Sequence, residues 1–197
     1  MPSRFASHGM VSSVTESPLP FQLRKRMISV DMDGTIADIT ERRNIALQHG
    51  AEGTVPFYSA LLDGKRYHLD EPIAASRDFL WAYVRELGGR IIYLSGRRQG
   101  SEQYSEAWLR RHNFPNGEIL HRRMGHSSLD FKTRWLRQWQ KQHRVDAHFG
   151  DRLEDDGGAS KLAAVRFVHI VDNSWPSFDS LRSVFESTDA VNSIVSE

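Results

Sequence analysis

Short apolar runs and helical periodicities alternate along this chain. Met27-Ile28-Ser29-Val30 is an apolar run rich in β-formers that stops at Asp31, which predicts a buried strand. Phe79, Leu80, Tyr83, Val84 and Leu87 then recur at helical spacing, with Ser76 as the N-cap and Gly88 as the C-cap. A second strand follows over residues 90–95. Helical pattern returns over 104–112, a weak strand sits at 118–121, and Phe131, Trp135, Leu136 and Trp139 mark another helix face. Residues 145–150 and 165–171 read as strands separated by a helix from Ala159. A last helix starts at Pro176, with Phe178, Leu181, Val184 and Phe185 inward.

Strands that alternate with helices predict an α/β fold, a Rossmann-like three-layer α/β/α arrangement around an open, mostly parallel five-stranded sheet. One domain is expected over residues 24–187. Residues 1–23 carry no periodic pattern and are read as a disordered segment or tag, and 188–197 as a flexible tail. Residues 36–75 lie between the first strand and the first long helix. Gly50, Gly53, Pro56, Gly64 and Pro72 interrupt them, so a small cap or lid insertion is expected rather than a helical bundle.

Composition adds exclusions. The chain has 197 residues, 39% of them hydrophobic, no cysteine, and 26 Lys and Arg against 25 Asp and Glu. Disordered, collagen-like and disulfide-scaffold classes are excluded. No apolar run approaches the roughly 18 residues of a membrane helix, so no membrane partner is expected. With zero cysteine and no secretory h-region, a cytoplasmic location is expected. Oligomeric state is not legible.

In such sheets polar site residues gather where the strands stop. Asp31 and Asp33 follow the first strand, Ser95 and Arg97 the second, and Asp151 the fourth. Asp31-Met32-Asp33-Gly34-Thr35 places two carboxylates two residues apart, which in extended backbone points both to one side. The pair suits a divalent-metal site, or a nucleophile with a proton donor and acceptor, or only a strand-ending turn. An EF-hand loop is excluded, because Gly34 comes too early and the closing glutamate is missing.

With these residues together, the chain resembles the haloacid dehalogenase superfamily of aspartate-nucleophile phosphatases. Asp31 to Thr35 matches its first motif, Ser95 the second, Lys132 the third, and Gly150-Asp151-Arg152-Leu153-Glu154-Asp155 the fourth, together spanning residues 27–172. The resemblance implies Mg2+-dependent phosphomonoester hydrolysis through an aspartyl-phosphate on Asp31, with Asp33 as proton donor and acceptor. It implies a metal held by the Asp31 carboxylate, the backbone carbonyl of Asp33 and Asp151, with Asp155 or, in its stead, Asp156 supporting it, and phosphate bound by Ser95 and Lys132. Because Asp33 is an acid, dehalogenation is disfavoured.

Tyr93-Leu94-Ser95-Gly96-Arg97 is further similar to the phosphatase domain of polynucleotide kinase-phosphatases, which adds Gly96, Arg97 and Arg152 as phosphate or substrate contacts. A kinase half has no counterpart, since no G-x-x-x-x-G-K-[ST] loop is present. Between Arg97 and Arg144 lie eleven basic residues against four acidic ones, while residues 151–197 hold nine acids and four bases. A basic segment beside the site fits a phosphorylated nucleic-acid end or nucleotide as partner, and a solvated helix face is the plainer alternative. A small-molecule acid phosphatase or 5′-nucleotidase, and a non-catalytic binding module, are the competing functions.

Overall fold

The computed structural model describes residues 25–193. Residues 1–24, which include the expected disordered segment or tag over 1–23, and the residues after Ser193 lie outside that description. Five parallel strands form one sheet: β1 (Arg26–Val30), β4 (Arg90–Arg98), β5 (Glu118–Arg122), β6 (Arg144–Gly150) and β7 (Phe167–His169), in the order β5-β4-β1-β6-β7. The expected α/β class and strand set are therefore present. Chain order reverses on either side of β1, so the crevice at its carboxyl end is the topological switch point where open α/β sheets place their sites.

Alternation along the strands explains the layers. Ile28 and Val30 of β1, Ile91 and Tyr93 of β4, and Ala147 and Phe149 of β6 point to one face. There they meet α3 (Ala74–Leu87), α4 (Glu102–Arg111) and α7 (Phe178–Ser193) through Phe79, Leu80, Tyr83, Trp108 and Phe185. Met27, Ile92, Leu94 and Val145 point to the other face, against α5 (Ser128–Gln142) and α6 (Gly158–Ala163) through Phe131, Leu136, Trp139, Ala159 and Ala163. With both faces covered, every residue of β6 is buried.

Several element boundaries differ from the sequence pattern. The α3 helix begins at Ala74, with Ile73 at the cap; Ser76 lies inside it and its hydroxyl donates to the Ile73 carbonyl at 2.6 Å. Gly88 ends that helix in left-handed conformation, φ 61°, as its lack of a Cβ allows. The β4 strand runs past Ser95 to Arg98 through a register shift. A π-helical turn, Leu153–Gly157, precedes α6. The α7 helix starts at Phe178, not Pro176, and its backbone continues to Ser193.

The insertion at 36–75 is small. It comprises a two-residue strand pair, β2 (Ala37–Asp38) with β3 (Glu71–Pro72), then α1 (Thr40–His49), α2 (Val55–Leu61) and a 3-10 turn over Gly64–Leu69. Ala46, Phe57 and Ala60 form its own miniature core, against which Leu61 packs. No described helix is long and apolar enough to cross a membrane.

Candidate active site

Register brings the motifs together. Val30 of β1 lies beside Tyr93 of β4 and Phe149 of β6, so Asp31, Ser95 and Asp151 emerge side by side at the carboxyl ends of three adjacent strands. The Asp31 amide still donates to the Phe149 carbonyl at 2.9 Å, extending the ladder by one bond. Gly34, at φ 76°, then turns the chain back on itself. A Cβ there would collide with the Asp151 carboxylate, so the glycine is what lets the first and fourth motifs touch.

Asp31, Asp151 and Asp156 each offer a carboxylate oxygen within 4.8 Å of one another. Lys132, reaching in from α5 and 1% exposed, sits 3.1 Å from Asp31 Oδ2 and also donates to Asp156 Oδ1. Burial pushes the Asp31 carboxyl up to about 8; Lys132 opposes this, and the charges of Asp156, Asp151 and Asp33 add to it. Burial and Asp156 likewise push Asp151 up to about 6. Burial works against the ammonium of Lys132, but Asp31 and Asp156 outweigh it and hold the lysine above its ordinary value.

Two buried oxygens, Asp31 Oδ1 and Asp151 Oδ1, have no hydrogen-bond partner. Orphaned carboxylate oxygens in a cluster that repels itself are what a hard divalent cation satisfies, so the donor set fits such an ion.

A buried polar column stands behind the cluster. Asp156 Oδ1 accepts from His148 Nε2 at 2.9 Å. His148 Nδ1 lies 3.1 Å from the Ser29 hydroxyl and 3.3 Å from the Ser29 carbonyl. Burial pulls the imidazole pKa down. Burial would raise Asp156, but Lys132 and His148 outweigh it and hold the acid well below the carboxylate range. Asp156 therefore props Lys132 as well as lining the cluster.

Asp33 faces elsewhere. Its Oδ1 accepts from Arg97 Nε at 2.8 Å and Arg42 Nη2 at 2.7 Å, and both arginines are fully buried. The same arginines hold buried Asp70, Arg42 Nε at 2.7 Å and Arg97 Nη2 at 2.7 Å. The Tyr67 ring lies under both guanidinium groups, 3.9 Å from Arg97 and 4.8 Å from Arg42. Trp108 Nε1 donates to the Asp70 carbonyl at 2.8 Å and pins this corner. Burial would raise the Asp33 carboxyl, but Arg42 and Arg97 outweigh it and hold it well below the usual range. Burial raises Asp70 to about 6 against the pull of the same two arginines.

The structure thus brings Asp31, Asp151 and Lys132 together, with Ser95 beside them, 1% exposed and accepting from the Arg97 amide at 3.3 Å. It sends the Asp33 side chain to the arginines, outside the acidic cluster. Asp156 occupies the third corner; Asp155 pairs with Arg152 at 3.3 Å, and that arginine side chain is 62% exposed. Gly96 has space around it, a Cβ meeting nothing nearer than Ser128 Oγ at 3.6 Å.

Arg42, Tyr67, Asp70 and His148 were not legible as site residues. For Arg42, Tyr67 and Asp70 no local pattern marks them, because they act across the insertion. For His148 a signal exists: a histidine inside an otherwise buried strand needs a polar partner.

Residues 64–156, a little under half of the chain, match the LNS2 domain of PITM 1-3. No curated protein sequence matches. Among solved structures the chain is similar to one in the Pnkp1/Rnl/Hen1 RNA repair complex, at 14% identity and a TM-score of 0.60, covering 81% of this chain and 46% of that one. It is similar to the class C acid phosphatase from Bacillus anthracis, at 18% identity and 0.57, covering 85% and 80%. It also resembles the HAD domain of the effector protein Lem4 from Legionella pneumophila, at 14% identity and 0.54, covering 88% and 100%. The chain spans about half the length of the RNA repair protein it matches. The fold, a parallel sheet in the order β5-β4-β1-β6-β7 flanked by helices, is one this chain shares with that acid phosphatase and that HAD domain.

Proposed function

We propose that this protein is a Mg2+-dependent phosphomonoesterase that works through an aspartyl-phosphate, on phosphorylated nucleic-acid ends or nucleotides. The observation that carries this reading is Asp31, buried and 3.1 Å from Lys132, with an unpartnered Oδ1 beside Asp151. Asp31 and Asp151, with Asp156 alongside, would hold the ion, which when bound neutralises charge on the phosphoryl oxygens.

The chain's own groups supply the rest. Lys132 and Ser95 bind phosphate oxygens and orient the phosphorus toward Asp31. An Asp31 oxygen attacks phosphorus, and the bond to the leaving oxygen breaks. Water then attacks the phosphorus of the aspartyl-phosphate, the bond to Asp31 breaks, and inorganic phosphate leaves. Asp33, kept ionised by Arg42 and Arg97, is set to take the proton from that water. The leaving sugar oxygen takes its proton in the first step through this same carboxyl, and the arginine pairing makes that the harder of the two transfers. A cavity of about 530 Å³ beside Gly34 and Asp151, edged by Arg43, Asn44 and Asn173, leaves room for a leaving group.

Hydrolysis of 4-nitrophenyl phosphate tests the reading. Asp31→Asn and chelation of divalent ions each abolish it, and Mg2+ raises the Tm of the wild type but not of Asp31→Asn. Full activity of either sample overturns the mechanism. A class C acid phosphatase among the similar structures keeps a small-molecule phosphatase as the second reading. Comparing a 3′-phosphorylated oligonucleotide with mononucleotides separates the two.

A further inference from the structure

Ser29, His148, Asp156 and Lys132, all buried, stand in line behind the phosphate site. Ile28 and Val30 of β1 and Ala147 and Phe149 of β6 face one layer, so the alternating Ser29 and His148 point to the other, where α5 lies. His148 Nε2 donates to Asp156 Oδ1 at 2.9 Å, and its Nδ1 lies 3.1 Å from the Ser29 hydroxyl. The same Asp156 oxygen accepts from Lys132 Nζ, and Lys132 is 3.1 Å from Asp31 Oδ2. The imidazole, with none of its surface exposed, therefore reaches the phosphate-binding lysine through one carboxylate.

That carboxylate has a shaped seat. A Cβ at Gly150 would collide with it, so the end of β6 is bare where Asp156 folds over it. The π-helical turn over Leu153–Gly157 bonds the Asp156 amide to the Arg152 carbonyl at 2.8 Å. It leaves Asp156 buried while its neighbour Asp155 pairs with the exposed Arg152 side chain. The oxygens of Asp156 are occupied as well: Oδ1 takes two donors, and Oδ2 accepts from the Arg152 amide at 3.3 Å. Asp31 Oδ1 and Asp151 Oδ1 have no partner. Of the three clustered acids, Asp156 is thus the one committed to protein donors at both oxygens.

We propose that His148 is a positioning residue for phosphate binding, fixing the Asp156 carboxylate and through it the Lys132 ammonium. The inference rests on the phosphatase reading above for the part Lys132 plays. Lysine is a point charge on a flexible stem, so its aim comes from whatever holds the ammonium. Asp31 holds it too, but on the proposed mechanism that carboxylate changes partner when it attacks phosphorus. Asp156, gripped by His148 and the Arg152 amide, does not. The histidine itself touches no substrate.

Three substitutions separate aim from packing. His148→Gln sets an amide N–H where Nε2 stands and keeps a donor for Asp156; His148→Asn sets its amide beside Ser29 and falls short of Asp156; His148→Phe keeps the bulk of a ring without a donor. With Asn or Phe, KM for 4-nitrophenyl phosphate and the inhibition constant of inorganic phosphate are expected to rise together about tenfold, the low end of the cost of losing an orienting partner. With Gln both stay close to the wild type, and the Mg2+ concentration for half-maximal activity moves with none of the three. Apart from turnover, inorganic phosphate with Mg2+ raises the Tm of the wild-type and Gln proteins more than that of the Asn and Phe proteins. A packing role would put Phe nearest the wild type, and that order overturns the proposal. So does an Asn protein that equals the Gln protein, or a shift in the Mg2+ requirement alone. Asn and Gln carry the same amide at different reach, so their comparison decides the matter even where the Phe protein does not fold. Phosphate binding in the expected order with no turnover of 4-nitrophenyl phosphate by the wild type overturns the phosphatase reading instead and leaves the positioning intact.

Discussion

Asp31 and Asp33, two residues apart, have opposite electrostatic fates. The first sits among like charges with only Lys132 to offset them; the second is clamped by two buried arginines. Spacing alone predicts one shared face, and it is Gly34 with the tight turn after Met32 that separates them. What was legible at this scale is position: Asp31, Lys132 and Asp151 lie together, and Ser95 is on the neighbouring strand. What was not legible is the partner of each. Arg42 reads as one more charge on a polar helix, yet it is buried and makes hydrogen bonds to Asp33, Asp70 and the Leu61 carbonyl. Arg42→Met removes a cation from a buried array and leaves Asp70 and Asp33 to share Arg97. A loss of about 3–5 kcal/mol is expected, read as a lower urea midpoint. A surface arginine would cost under about 0.5 kcal/mol, so a midpoint within error of the wild type refutes the clamp.

Strands and insertion differ in how far pattern reveals them. β4 carries the unbroken apolar run Ile91-Ile92-Tyr93-Leu94 and β1 one interrupted only by Ser29, because both faces are covered, and such runs announce themselves, whereas β6 interleaves Asp146 and His148 with its apolar residues. The apolar residues of the insertion divide between two cores: Ile36, Ala37 and Ile73 join the main one, while Phe57 meets Ala46 and Ala60 with Leu61 alongside. Its function is equally hidden, for it works as a brace that carries Arg42, Tyr67 and Asp70 to Asp33, more than as a cover. Phe57→Ala should cost about 3–5 kcal/mol. That exceeds what so small a core holds, so the insertion opens by itself while the sheet stays closed. Hydrogen exchange is expected to quicken over residues 40–62 and to stay slow over 26–30, 90–98 and 144–150, with kcat for 4-nitrophenyl phosphate falling as Arg42 loses its anchorage. Uniform quickening across the chain contradicts an independent brace.

Charge is the property of the whole molecule that folding most redistributes. Of the eleven bases between Arg97 and Arg144, Arg97, Lys132 and Arg144 are buried against acids, so they offer nothing to a distant polyanion. Helix direction sorts the remainder. The α4 helix starts at the carboxyl end of β4 and runs back, which takes Arg110 and Arg111 to the far end of the sheet, with Lys141 at the end of α5 beside them. Arg98, Arg122, Arg123 and Arg134 stay at the site end, and Arg122 is tied down there, donating to the Gly96 and His126 carbonyls. A single strand touching about three of these charges releases about two ions. Its KM should then rise roughly twentyfold between 50 and 200 mM salt. Hydrolysis of 4-nitrophenyl phosphate, which reaches only the buried groups, should change far less over the same range. Arg123→Glu with Arg134→Glu flattens the oligonucleotide slope, whereas Arg110→Glu with Arg111→Glu leaves it as it was. Were the two pairs to act alike, the attraction would belong to the net charge of the molecule, and a basic site end would have no part in choosing its substrate.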